Sequence, residues 1–227
     1  MKTITKNIQK QITPRVALEI LQQGNERFVN NLKSNRNLLE QVNATRDEQW
    51  PFAIILSCID SRTSAELIFD QGLGDIFSVR IAGNIVNTDI IGSMEFACKI
   101  AGSKLIVVLG HTKCGAVKGA CDHVEMGNLT ELLSKLQPSV YSEKETLEDR
   151  TSNNHTFVEN VAEINVKRNV KSIIERSFIL EQMVENGEIG IVGAMYDIET
   201  GGVAFYDDVL FIRDEENPTF SVSELRH

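Results

Sequence analysis

Two short runs of this sequence carry side chains that could bind a metal ion and do chemistry with it. Cys58-Ile59-Asp60-Ser61-Arg62 offers a thiolate, a carboxylate and a guanidinium within one turn of chain, and Gly110-His111-Thr112-Lys113-Cys114-Gly115 offers an imidazole and a second thiolate. Two thiolates and an imidazole select zinc over magnesium, calcium or manganese, which prefer oxygen donors. Three protein ligands leave a fourth position open for water, the pattern of catalytic zinc sites. Zinc lowers the pKa of that water, so hydroxide becomes available near neutral pH. The His-x-x-Cys pair alone is a weak signal. Its resemblance in construction to the first run gives it weight.

Each run follows an apolar segment. Phe52–Ser57 (FAIILS) precedes Cys58, and Leu105–Leu109 (LIVVL) precedes Gly110 and His111. Neither segment alternates, so each reads as a strand covered on both faces. Open α/β sheets bind ligands beyond the carboxyl ends of their strands. If the two strands are parallel neighbours, Cys58, His111 and Cys114 meet at one sheet edge, with Asp60 two residues past the first ligand.

The elements around them suit that arrangement. Thr13 can cap a helix that has Pro14 in its first turn and Ala17, Leu21, Gly24 and Phe28 on one face. It precedes the first strand and has no place in a βαβ unit, so it packs outside or reaches a second subunit. Residues 30–50 read as a polar connection or short helix. A short helix at Ser64–Phe69 leads to a strand at Ile76–Arg80, closed by Ala82-Gly83-Asn84. Ile90, Met94, Ala97 and Cys98 keep helical spacing, as do Val117, Ala120 and Cys121 after Gly115. Cys98 and Cys121 read as small core hydrophobes; Cys121 is about two helical turns from Cys114, too far to share its ion. Residues 139–154 are charged and unpatterned, a surface loop or lid ending at His155. A capping box at Thr156 opens the next helix. Gly190–Met195 is a late strand that turns at Gly201-Gly202 into a hairpin with Val203–Tyr206.

The expectation is one α/β domain over residues 1–227: a helical arm and linker (1–50), a zinc-binding core (51–206) and a frayed polar tail (207–227). The core is a mainly parallel central sheet flanked by helices, with an antiparallel edge hairpin. A net charge of -9 with no basic patch argues against a nucleic-acid partner. No apolar run approaches the roughly 20 residues that cross a bilayer, and the first residues lack a signal peptide's apolar centre. Four cysteines in 227 residues do not make a disulfide framework, which points to a reducing cytoplasm. Walker and dinucleotide glycine patterns are missing.

The two motifs, with Gly74-Asp75-Ile76-Phe77-x-Val79-Arg80, Ala82-Gly83-Asn84 and Gly92-Ser93-Met94-Glu95, resemble the signature of the beta-class carbonic anhydrases. The resemblance runs strongly from Gln49 to Cys121 and loosely through residues 190–205. It implies one zinc per chain on Cys58, His111 and Cys114, with Asp60 and Arg62 as a dyad beside the fourth position. It implies reversible hydration of CO2 to bicarbonate and a proton, by attack of zinc-bound hydroxide. It also implies a homodimer, possibly doubled to a tetramer, wrapped by the amino-terminal helices. For the substrate it points to Gln49 as a hydrogen-bond donor, Phe77 as an apolar wall, Phe96 where tyrosine is usual, and Gly115. Thr63-Ser64 and Gly83-Asn84 depart from the common pattern. The Trp, Arg and Tyr of an allosteric bicarbonate site are not matched, which favours the plant-type branch with an open site. Three other readings remain: a hydrolase of another CO2-like molecule such as CS2, a non-catalytic module with Asp60 on structural zinc, and thiol redox chemistry, which the lack of a Cys-x-x-Cys disfavours. Arg62 argues against the second, because it competes for that carboxylate.

Overall fold

A computed structural model describes residues 3–213. Its centre is a five-stranded sheet in the order β2-β1-β3-β4-β5. The strands are β1 (Ala53–Ser57), β2 (Ile76–Arg80), β3 (Leu105–His111), β4 (Gly190–Tyr196) and β5 (Val203–Phe211). The first four pair in parallel, and β5 runs antiparallel to β4. Strand β1 lies between β2 and β3, with Ala53 opposite both Ile76 and Leu105. The chain therefore leaves β1 in one direction and returns across it to β3, and the sheet reverses its winding between those two strands. Ligand sites of open α/β sheets form at such a reversal.

Every residue of β1 and β3 is buried, as expected for parallel strands covered by helices on both faces. Side chains alternate between two cores. Ile54, Leu56, Ile106 and Val108 pack with Ile90 and Met94 of α5 (Thr88–Glu95) and with Val166, Val170 and Ile173 of α9 (His155–Arg176). Ala53, Ile55, Leu105 and Val107 pack with Ala17, Leu18 and Leu21 of α2 (Pro14–Val29) and Ile68 of α4 (Ala65–Ile68).

Helix α2 starts as its sequence dictates: the Thr13 hydroxyl accepts the Val16 N–H, and Pro14 opens the helix. It is built into the sheet of its own chain. A Cβ on Gly24 would lie 1.9 Å from the Phe69 carbonyl oxygen, so only glycine permits this approach. Asn25 donates to the carbonyls of Ile68 and Gly201 and accepts the Val203 N–H. Helix α2 thus packs on the same face of the sheet as Phe69 and Ile68. Two short helices, α1 (Lys6–Gln11) and α3 (Leu38–Ala44), flank it.

Three expectations are corrected. The stretch from residue 207, expected as tail, is strand as far as Phe211, with Val209 and Phe211 turned into the core. Residues 214–227 lie outside the described residues. The stretch read as a loop or lid at 139–154 begins inside α8 (Gln137–Ser142) and is then pinned by Glu143. That side chain is 1% exposed, pairs with Arg150, and accepts hydrogen bonds from Thr146 and Asn160. Arg150 in turn lies over the Phe157 ring. Finally, α9 begins before the capping box at Thr156: Asn154 caps it by accepting the Phe157 N–H, and His155 is its first residue. The remaining elements are a π-helical turn extending α5 over Phe96–Ile100, then α6 (Gly115–Cys121), α7 (Gly127–Ser134) and α10 (Phe178–Glu185). Among the described residues no helix is long and apolar enough to cross a membrane.

Candidate metal centre

Cys58 follows the last residue of β1, His111 is the last residue of β3, and Cys114 directly precedes α6. Their ligand atoms all lie within 4.8 Å of one another, the side chains are buried, and no second group of this kind occurs among the described residues. The two sulfurs are 4.0 Å apart. Zinc with bonds of about 2.3 Å to each would hold them roughly 3.8 Å apart in a tetrahedron. His111 Nδ1 lies 2.9 Å from the Thr112 carbonyl oxygen, which can only accept, so Nδ1 carries the ring proton. The lone pair is left on Nε2, which is buried without a hydrogen-bond partner among the described residues. A buried polar atom of that kind calls for a ligand. These three donors fit zinc.

The electrostatics agree. The Cys58 thiol is held well below the usual thiol range, first by the hydrogen bond from Cys114 and also by the N–H groups of Asp60 and Gly83, against the opposing effect of burial. Cys114 is pushed strongly up, because it faces that thiolate in a buried setting. A dication allows both thiols to ionise.

Asp60 is turned to Arg62, not to the donor cluster. Arg62 reaches it with two prongs, Nε to Oδ1 at 2.9 Å and Nη2 to Oδ2 at 2.7 Å, and the Arg62 N–H adds a third bond at 2.9 Å. These bonds hold the carboxyl well below the usual carboxylate range. Arg62 is itself half exposed.

Sequence reasoning missed the residues that fix these loops. Arg80, at the end of β2 opposite Ser57, donates to the Cys58 carbonyl at 3.0 Å and the Asp60 carbonyl at 2.6 Å. The Thr63 hydroxyl also lies within hydrogen-bond distance of both oxygens. Gly83, at φ +67, aims its N–H at the Cys58 sulfur, 3.4 Å away. Asn165 of α9 holds the Gly83 carbonyl at 2.9 Å. The second loop is tied by Glu159, which accepts the Lys113 N–H at 2.8 Å. The available signals were polar: a charge ending a neighbouring strand and a buried amide on the apolar side of α9.

The substrate residues are placed separately. Phe77 and Phe96 meet edge to face, with centroids 6.3 Å apart, in a groove of about 490 Å³ that none of the three donors lines. Gln49 is exposed before β1 and lines neither this groove nor the donor cluster. Gly115 opens α6 beside Cys114, and a Cβ there would meet open space. Cys98 and Cys121 stay out of the cluster. Burial pushes Cys98 up to about 12, and burial with the Asp122 charge pushes Cys121 up to about 11.

Fold and site together define a class: an open α/β sheet with a buried cluster of two cysteines and one histidine, able to hold a metal ion, at its winding reversal. The carbonic anhydrase family matches residues 53–203. Carbonic anhydrase 2 of Mycobacterium tuberculosis is 33% identical over 208 residues, which cover 89% of this chain and 97% of that protein. The carbonic anhydrase of Mycolicibacterium smegmatis is 32% identical, over 84% of this chain and 92% of its own. The beta-carbonic anhydrase CafA of Aspergillus fumigatus superposes with a TM-score of 0.63 at 28% identity, over 78% of this chain and 84% of that one. The chain belongs to the beta-class carbonic anhydrases, enzymes whose reaction is the hydration of carbon dioxide.

Proposed function

We propose that this chain hydrates CO2 reversibly to bicarbonate and a proton at one zinc ion, held by Cys58, His111 and Cys114, with Asp60 and Arg62 as the catalytic dyad. The observation that carries this reading is the cluster of three buried donors with an unpartnered Nε2. Bound there, zinc supplies a lowered pKa for water, so hydroxide is available near neutral pH. Asp60, kept ionised by Arg62, accepts the O–H of the attacking oxygen and aims a lone pair at the substrate carbon. Arg62 occupies both carboxylate oxygens and so competes with the metal for Asp60, which supports the plant-type, open-site branch. Arg80 and Thr63 brace the loop carbonyls, and Asn165 orients the Gly83 N–H toward Cys58.

For the substrate, Phe77 and Phe96 form an apolar wall, Gln49 donates a hydrogen bond, and Gly115 leaves the approach to Cys114 clear. A homodimer, possibly a tetramer, is supported by large apolar side chains left open on the single chain, including Phe96 at 54% and Ile100 at 73% exposure. Four free cysteines, two of them a ligand pair, suit a reducing cytoplasm.

Stopped-flow CO2 hydration on protein of known zinc content tests the reading. Two thiolates leave the centre less electron-withdrawing than a three-histidine site, whose water has a pKa near 7. Activity should therefore be weak at about pH 6.5 and climb toward roughly pH 8–9. One zinc per chain without CO2 hydration across that range would overturn the proposal.

A further inference from the structure

A second cavity, of about 380 Å³, lies between α9 and the turn that enters α5. Its walls include Lys135, Arg168 and Arg176 with the hydroxyls of Thr88 and Ser172, and no carboxylate. That composition runs against a chain with 32 acidic and 23 basic residues. Arg168, Ser172 and Arg176 follow one another at intervals of four, so they form a single stripe on α9. Val166, Val170 and Ile173 of the same helix are in the core.

Neither guanidinium is paired with a carboxylate among the described residues. Arg168 has no hydrogen bond or ion pair among the described residues. Arg176 makes one long contact, 3.4 Å to the Val86 carbonyl oxygen. Lys135 is shared with Glu131, which is itself 78% exposed. Thr88 is the first residue of α5, so that helix's positive end borders the same cavity. Arginine's planar fork matches the oxygens of a phosphate two at a time. Hydroxyls between two such forks supply the remaining hydrogen bonds.

We propose that this groove is a binding site for dianionic phosphate, free or as a monoester, separate from the metal centre. It shares no residue with Cys58, Asp60, Arg62, His111 or Cys114. Its wall nevertheless touches the metal loop. Asn165 and Asn169 line the groove and donate to the carbonyls of Gly83 and Asn84, and Gly83 donates to the Cys58 sulfur. A ligand in the groove therefore sits against the side chains that hold the Cys58 loop in place.

The test is calorimetric titration of the zinc-loaded full chain with inorganic phosphate and, separately, with glucose 6-phosphate, in low-salt buffer. Saturable binding at one site per chain is expected, weakened about tenfold or more by Arg168→Ala and by Arg176→Ala, each loss corresponding to a charge-assisted contact. Both residues are exposed, so truncation leaves the core intact. Arg62→Ala, beside the metal centre, should leave the phosphate affinity unchanged. Tighter binding of the monoester assigns the site to an organic phosphate, and equal or weaker binding assigns it to free phosphate. The proposal is overturned by the absence of saturable binding for both probes, by affinity indifferent to Arg168→Ala and Arg176→Ala, or by binding lost in Arg62→Ala.

Discussion

Cys58 and Cys114 are as buried as Cys98 and Cys121, none of the four being more than 4% exposed, yet the two pairs face different surroundings. Cys58, Cys114 and Cys121 even belong to one apolar cluster, with Val117, Leu133 and Phe157. What separates the pairs is polar company. Cys58 has a second thiol and two backbone N–H groups aimed at it, with an imidazole close by, and its thiol is lowered. Cys98 has chiefly apolar neighbours, and its thiol rises. Burial alone silences a thiol, whereas burial at a strand end, where backbone donors, a second thiol and a histidine converge, suits it to ligate a metal.

The sharpest way to break this comparison is to exchange sulfur for oxygen in each pair. Cys58→Ser or Cys114→Ser should lose zinc in elemental analysis and reduce CO2 hydration by on the order of 1000-fold or more, because metal binding and folding are coupled at such sites. The same change at Cys98 or Cys121 should retain one zinc per chain and cost about 1–3 kcal/mol for burying a hydroxyl. Zinc lost as readily from Cys121→Ser as from Cys114→Ser would merge the two pairs.

Smaller effects are expected from residues beside the ligands. Asp60→Asn and Arg62→Ala should each lower kcat/KM by about 10-fold to 1000-fold with zinc retained, the range for losing a group that positions the reacting atom. Full activity in zinc-loaded Arg62→Ala would remove the orienting role from that guanidinium. Gly83→Ala places a side chain at φ +67 with its Cβ 2.9 Å from Leu136 Cδ1. It should cost about 1–3 kcal/mol in urea unfolding and weaken zinc retention.

Acid separates loss of fold from loss of metal. Asp70 is 4% exposed. Burial pushes its carboxyl up, but hydrogen bonds from Arg27, Arg36 and Ser34 outweigh that and hold it at about 2. Its folded pKa lies below its unfolded one, so the stabilisation is complete above about pH 4 and lost as pH falls toward 2, with a size of about 2 kcal/mol. Asp70→Asn should flatten the stability profile in that window. An unchanged acid limb in the variant would place the sensitivity elsewhere.

The legible part of this protein was the part written locally. Cys58 and His111 each stand at the end of an unbroken apolar run, so strand type and the place of each donor side chain could be read together. The support for them comes from far along the chain: Arg80 is 22 residues from Cys58, and Asn165 is 82 from Gly83. No local pattern marks such contacts. The end of β5 was hidden by Asp207-Asp208, whose exposed side chains look like a tail although Val209 and Phe211 point inward. The docking of α2 was hidden by Gly24, which reads as one small residue in a helix until the Phe69 carbonyl is seen against it.

Zinc-edge X-ray absorption on the full chain tests the central claim most directly, because it counts the ligands. The account predicts two sulfur atoms at about 2.3 Å, one imidazole nitrogen at about 2.0–2.1 Å and one further light atom. Three sulfurs in the first shell, or one, would contradict a centre built from Cys58, His111 and Cys114.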